Sequence, residues 1–234
     1  MRLLAGTSGF GYKEWKGSFY PADLPAARML GYYASRLPAV EINNTFYQMP
    51  RRELLEKWAA EVPETFTFAL KAPQRITHRK RLRAAGEDVA YFFAAAAVLG
   101  PRLGATLFQL PPHLRKDLPL LQEFLAALPA EQRAAFEFRH ASWFDDEVYD
   151  ALRARGVALC LSDVDEEGRP APLVPTAGWG YLRLRRPDYG DAELSTWAER
   201  LRAQPWSDAF VFFKHEEEGK AAAMATALLG RSQP

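Results

Sequence analysis

The chain has 234 residues, 48% of them apolar and 25% charged, with a formal net charge of +1. That length fits one large folded domain, and the near-neutral balance excludes bulk attraction to nucleic acid, so any polyanion affinity must come from a local patch. The single cysteine, Cys160, excludes an internal disulfide, and its apolar setting (VALCL) reads as a buried structural thiol.

The elements alternate along the chain. Leu3 to Thr7 is an apolar run ending in Ser8-Gly9 and predicts the first strand. Phe10 to Pro21 is a long loop of aromatics and lysines, and Ala26 to Arg36 predicts a helix stopped by Pro38. Ala39 to Asn43 is a second strand, followed by a helix over Arg51–Glu61. Phe66 to Lys71 (FTFALK) alternates strictly, as a strand does, and an alanine-rich helix covers Glu87–Leu99. Strand four is Ala105–Gln109 and strand five Ala135–Arg139, with a helix over Leu118–Leu128 between them. A helix over Asp145–Arg155 ends at Gly156. Strand six is Val157–Leu161 and strand seven Tyr181–Arg185, joined through Pro170, Pro172 and Pro175 by an irregular loop. A helix over Asp191–Ala203, strand eight over Ala209–Lys214 and a helix over Lys220–Leu229 complete the chain.

Strand–helix alternation implies a parallel sheet, and eight units in this length imply a closed (β/α)₈ barrel forming one domain over residues 1–234. An open doubly wound sheet is the alternative; it normally carries a Gly-rich phosphate turn after strand one, and GTSGFG lacks that spacing. The apolar run at the N-terminus is too short for a signal peptide and no segment approaches a membrane span, so a cytoplasmic protein without a membrane partner is expected.

In such a barrel the site lies at the C-terminal ends of the strands. All four histidines, His78, His113, His140 and His215, follow predicted strands. The strand ends carry Glu41, Asn43, Lys71, Gln109, Glu137, Arg139, Asp163, Arg183 and Lys214. Alternation gives Glu137 and Arg139 one direction, with Phe136 and Phe138 turned to the helices. Asn43 and Asn44 are the only asparagines in the chain and stand in VEINNTFYQMP (40–50), a strand end followed by a loop rich in hydrogen-bonding groups. These groups either line a ligand site or form buried ion pairs that close the barrel top.

Four basic groups at the rim, Lys71, Arg139, Arg183 and Lys214, favour an anionic ligand, because guanidinium forks match carboxylate and phosphate. Glu41, Glu137 and Arg139 are the catalytic candidates: two acid/base carboxylates, with Arg139 and Lys71 setting their charge. Arg183 and Lys214 would hold phosphate oxygens, and Asn43, Gln109 and His140 would orient the substrate. Tyr47, His78, Trp143, Asp163 and His215 complete the substrate-binding set. The run RITHRKRLR offers Arg75, Arg79, Lys80, Arg81 and Arg83 to a nucleic-acid backbone, or is a solvated loop. Phe10, Tyr12, Trp15, Phe19 and Tyr20 would either stack on bases or plug the barrel. Glu41, Glu137, Asp163 and a histidine would suit one hard divalent ion, yet no HxH or HExxH spacing specifies a metal, and the sequence leaves the cofactor unknown. The expected function is an enzyme, a hydrolase of phosphodiesterase or endonuclease type, acting at a charged C-terminal pocket on a phosphate-bearing substrate, with nucleic acid among the candidates. The rival readings are a non-catalytic nucleic-acid-binding module and a binder of a small anionic metabolite.

Several long motifs, GTSGFGYKEWKGSFYP (6–21), VEINNTFYQMP (40–50), FTFALKAPQRITH (66–78), LGATLFQLPPHL (103–114), FEFRHASWF (136–144) and YLRLR (181–185), span nearly the whole chain. Through them the sequence resembles the YecE-like proteins, the domain of unknown function 72 family. The resemblance implies a (β/α)₈ barrel and no established activity; the family's kin among xylose-isomerase-like barrels include metal-dependent endonucleases, an analogy of fold alone. Two departures stand out. The family's RxHG after strand seven is Arg183-Leu184-Arg185-Arg186 here, and its asparagine pair after strand eight is replaced by Phe213-Lys214-His215.

Overall fold

The alternating runs all become strands, and each strand pairs in parallel with its sequence neighbours until β8 closes on β1. The computed structural model describes residues 1–164, 171–214 and 218–231. The strands are β1 (Arg2–Ser8), β2 (Ala39–Ile42), β3 (Thr67–Lys71), β4 (Leu103–Gln109), β5 (Ala134–Glu137), β6 (Ala158–Ser162), β7 (Trp179–Leu184) and β8 (Asp208–Phe213). The helices are α1 (Met29–Ala34), α2 (Asn44–Tyr47), α3 (Arg52–Glu61), α4 (Gly86–Ala96), α5 (Leu118–Ala127), α6 (Asp146–Ala154), α7 (Asp191–Arg202) and α8 (Lys220–Arg231). The expected (β/α)₈ barrel is therefore what the chain forms.

The barrel interior is filled by an uneven division of side-chain volume. β2 to β6 contribute Ala39, Ala69, Ala105, Ala135 and Ala158, while β7 and β8 contribute Trp179, Tyr181, Phe210 and Phe212. Small residues on one wall leave the room that the aromatic rings from the other wall occupy. Gly104 belongs to this fit: a Cβ there would lie 2.2 Å from the Thr67 methyl and 2.8 Å from the Phe210 ring. The outward residues of the same strands build a second core under the helices. Phe108 and Phe136 stack at 5.3 Å, and Phe124 of α5 meets Phe108 edge-on. Each aromatic side chain so buried contributes roughly 1.5–3 kcal/mol.

Local chemistry fixes the helix ends. Asp117 accepts from the Leu120 N–H at 3.1 Å and starts α5, and Asp145 accepts from the Glu147 N–H at 3.0 Å and starts α6. Gly156, at φ +60°, terminates the turn after α6. At the N-terminal end of the barrel Asp208 accepts from Arg2 at 2.8 Å and Arg133 at 2.7 Å.

Some boundaries differ from expectation. The predicted helix over 26–36 is a 3-10 turn, Ala26–Arg28, followed by the short α1. β2 and β5 end at Ile42 and Glu137, so Asn43 and Arg139 stand just beyond the strands. Most of the aromatic loop packs outward against α1 and α3, and Tyr12 alone of its rings reaches the barrel mouth. Trp15 and Tyr20 are buried, Phe19 packs edge-on to Tyr33, and Phe10 packs edge-on to Trp58 of α3. Only helices too short or too polar to cross a membrane occur among the described residues.

Candidate active site

The top inward layer of the barrel is polar because the inward phase of β1 to β7 ends on a polar residue, and that of β8 continues past Phe212 to Lys214 just beyond the strand. Register aligns Ser8 with Glu41, Gln109 with Glu137 and Ser162 with Arg183. Arg183 links the two acids: its Nη2 donates to Glu41 Oε1 at 2.9 Å and its Nη1 to Glu137 Oε2 at 2.7 Å. The remaining carboxylate capacity is also used. Glu41 accepts from Ser8 Oγ at 2.8 Å, Tyr181 OH at 2.8 Å and Asn43 Nδ2 at 3.2 Å. Glu137 accepts from Gln109 Nε2 at 2.8 Å and has Arg185 Nη1 at 3.8 Å.

Glu41, Glu137 and Arg183 are 0%, 1% and 3% exposed. Burial pushes the Glu137 carboxyl upward, but the charges of Arg183 and Arg185 and the Gln109 hydrogen bond outweigh it and hold the pKa at about 2. For Arg183, burial opposes the charge, yet Glu41 and Glu137 raise its pKa well above the usual value. Burial and then Glu41 push the Tyr181 phenol well up, which keeps it a donor. The two acids thus form a sealed floor whose work is to hold Arg183, and the fork that Glu137 engages at 2.7 Å comes from β7, two strands on, where its own strand had suggested Arg139.

Above this floor opens a cavity of about 640 Å³. Arg139, Arg183, Arg185, Lys71, Lys214 and His78 supply its cationic and imidazole walls, and the described lining residues include no carboxylate. Asn43, Asn44, Phe46 and Tyr47 form one side, and Ser8, Tyr12, Gln74 and Gln109 complete it. Lys71 stands at the end of β3, 9% exposed, with Nζ 4.1 Å over the Phe46 ring. No carboxylate oxygen of the described residues comes within 4.0 Å of that amine, whose backbone carbonyl is pinned by Thr45 Oγ1 at 2.6 Å. Burial, then the charge of Arg183, lowers the Lys71 pKa to about 8, against a partial counter-effect of Glu137 and Glu41. His78 meets the edge of the same ring at 4.9 Å. Burial and the charges of Lys71 and Arg139 lower its pKa to about 4, so it is neutral at pH 7.

Other expected site residues lie elsewhere. Trp143 is in the core, stacked on Phe138 at 4.7 Å, with Nε1 donating to the Leu114 carbonyl at 2.7 Å, and does not face the cavity. His140 caps the turn Ala141–Trp143 by accepting from the Ser142 N–H at 3.1 Å. Asp163 accepts from the Arg185 N–H at 2.7 Å and from the Tyr189 hydroxyl, bracing the β7–α7 loop outside the mouth. The possible divalent set of Glu41, Glu137, Asp163 and a histidine is not gathered, and no cluster of three such side chains exists among the described residues. His215 lies outside the described residues. The basic run is largely spoken for: Arg75 and Lys80 pair with Asp88 at 2.7 Å each, and Arg83 with Asp117 at 3.0 Å. Arg79 and Arg81 are exposed. None of these five lines the cavity, which stops at Gln74 and His78.

Ser8, Tyr181, Arg185 and Phe46 are the participants that the sequence reading did not place in the site. The first three carried a usable signal, since strict alternation along β1 and YLRLR puts Ser8, Tyr181, Arg183 and Arg185 in one phase. Phe46 carried none, because it sits on α2, a helix without a period long enough to read.

A family model described as "Protein of unknown function DUF72" matches residues 4–233. The chain is 32% identical to "UPF0759 protein YecE" of Escherichia coli (strain K12) over 137 residues, 56% of this chain and 50% of that one. It thus spans about half the length of that relative. It is 27% identical to "UPF0759 protein YunF" of Bacillus subtilis (strain 168), over 94% of this chain and 91% of the relative. Among solved structures, a DUF72 family protein from Thermotoga maritima MSB8 superposes with a TM-score of 0.85 at 26% identity, covering 98% of both chains. One from Enterococcus faecalis V583 gives 0.80 at 21% identity, covering 99% of this chain and 94% of that one, a likeness of fold. With a match across nearly its whole length, the chain belongs to the DUF72 family, whose function is unknown.

Proposed function

We propose that the protein is an enzyme that takes a small phosphate-bearing substrate into the mouth of the barrel. The observation that carries this reading is Lys71. A desolvated ammonium beside Arg183, with no carboxylate within 4.0 Å among the described residues, is a site short of negative charge. A phosphate would supply that charge and accept from the amine, a charged hydrogen bond contributing roughly 1.5–3 kcal/mol. Arg183, locked by its two carboxylates, offers a preorganised positive field beneath the ligand.

The size and limits of the cavity favour a small ligand over a polymer. It holds about 640 Å³, within the usual range for small-molecule sites, and of the 75–83 run only His78 reaches it, none of Arg75, Arg79, Lys80, Arg81 and Arg83 being in its lining. The same geometry shifts the acid/base role. Glu41 and Glu137 are sealed by donors, so Lys71, with its pKa at about 8, is the group suited to proton transfer near neutral pH.

The test is calorimetric titration of inorganic phosphate, pyrophosphate and mononucleotides into the wild type and Lys71→Met. The expected result is binding that weakens by roughly 10–100-fold in the variant, the equivalent of one lost charged hydrogen bond. Absence of any binding by the wild type, or equal binding by the variant, would remove the reading.

A further inference from the structure

Resting on the phosphate-bearing reading, we infer that Lys71 is an imine-forming residue and that the substrate is a small aldehyde or ketone carrying a phosphate group. Three features of the site converge on that chemistry. First, the amine is positioned. The main chain of Lys71 is held by Thr45 Oγ1 at 2.6 Å, its Nζ rests 4.1 Å over Phe46, and its side chain lines the cavity floor where a reacting carbon could sit.

Second, the amine is kept from the partner that would silence it. A lysine engaged by a carboxylate stays protonated, and a protonated amine has no lone pair to give. Both nearby acids are instead committed to Arg183, Glu41 from β2 and Glu137 from β5. Among the described residues the other groups facing Lys71 are cationic or neutral: Arg183 from β7, Lys214 beyond β8 and His78 after β3. Burial and this surrounding lower its pKa to about 8, so its neutral fraction at pH 7 is about two orders of magnitude above that of a solvated lysine.

Third, the cavity separates the two tasks. Arg185, on the cavity wall above the positive field of Arg183, can hold the phosphate while the amine meets the carbonyl. The step balances without an oxidant or reductant. The nitrogen lone pair adds to the carbonyl carbon and the C=O π electrons move to oxygen. The two amine protons then leave with that oxygen as water as the C=N bond forms.

The chain has eight lysines, and Lys71 is the one classed as buried among them. Accessibility alone would therefore predict that it reacts least, which makes labelling decisive. The probe is pyridoxal 5′-phosphate, added to the full chain at pH 7, reduced with borohydride and mapped by peptide mass analysis. Pyridoxal without the phosphate and glyceraldehyde 3-phosphate are run in parallel. We expect both phosphorylated carbonyls to label Lys71 at least ~10-fold above any other lysine, a conservative reading of the difference in neutral fraction. Pyridoxal should label it less, inorganic phosphate should protect it, and Lys71→Arg, which keeps the cation and removes the nucleophilic amine, should lose the adduct.

Labelling spread over the exposed lysines with Lys71 at or below their level would overturn the inference. So would Lys71 labelling that pyridoxal matches and phosphate leaves unchanged. Calorimetric binding of phosphate in the same preparation distinguishes the two failures. Binding without trapping at Lys71 overturns the imine and leaves the phosphate site standing, whereas neither binding nor trapping overturns both.

Discussion

Replacing Glu137 by Gln separates support from chemistry at the heart of the barrel. The substitution keeps the shape and one acceptor oxygen, but removes a charge that Arg183 engages at 2.7 Å and Gln109 at 2.8 Å. One of those two donors must then face an amide NH₂, which cannot accept. A carboxyl held at about 2 when folded, against an ordinary glutamate value of 4.5, favours the folded state by about 3 kcal/mol at neutral pH. Breaking a buried pair gives a similar figure, roughly 3–5 kcal/mol. For a chain of this size that lowers Tm by on the order of 10 °C. The sign of the pH dependence follows from a depressed pKa. The contribution is fully present above pH 4.5 and is lost as pH falls toward about 2. The assay is urea denaturation of wild type and Glu137→Gln from neutral pH into the acid range. A gap below about 1 kcal/mol at pH 7, or one that does not narrow between pH 4.5 and 2, would refute the sealed ion-pair floor.

Lys71→Met should raise stability by ~1–2 kcal/mol at pH 7 while weakening phosphate binding, because it removes a buried charge and keeps the apolar stem. Since the folded pKa lies below that of a solvated lysine, the wild-type penalty is full below pH 8 and disappears as pH rises from 8 to 10.5, so this gain should shrink over that window in denaturation curves. Sulfate, whose charge is constant over the range, should bind progressively more weakly above pH 8 as Lys71 loses its proton; calorimetry showing a flat profile would count against Lys71 as the anion's partner. Alanine at Arg79, Lys80 and Arg81 together should leave phosphate affinity unchanged, since none lines the cavity, and a large loss by titration would move the ligand onto that loop. Asp208→Asn should cost ~1–3 kcal/mol by releasing Arg2 and Arg133 at the far end of the barrel, with phosphate binding intact.

Strand identity was legible because period-two alternation survives in short runs: FTFALK and YLRLR specify both the strand and its inward face. The polar character of the barrel top was legible for the same reason, as Glu41, Gln109, Glu137 and Arg183 end their strands in phase. Which of these pair was not. Glu41 and Glu137 lie on β2 and β5, and only closure of the barrel brings both to Arg183 of β7. Trp143 and His140 misled because each follows a strand end without belonging to one. Trp143 turns into the helix layer and His140 into a local cap. The basic run RITHRKRLR looked like a free patch because Asp88 and Asp117, which pair with three of its cations, are distant or helical neighbours that no local pattern reveals. Lys71 was visible as a rim cation, but its desolvation depends on Phe46 from α2, an element absent from the sequence reading.

The most direct measurement is the position of a phosphate mimic in a crystal. Tungstate soaked into crystals of the wild type is located unambiguously by its anomalous scattering. A tungstate centred in the mouth cavity, with an oxygen in hydrogen-bond reach of Lys71 Nζ and absent from Lys71→Met crystals, is the predicted result. Tungstate found instead on Arg79 and Arg81, or equally occupied in the variant, would contradict the assignment of this cavity as the anion site.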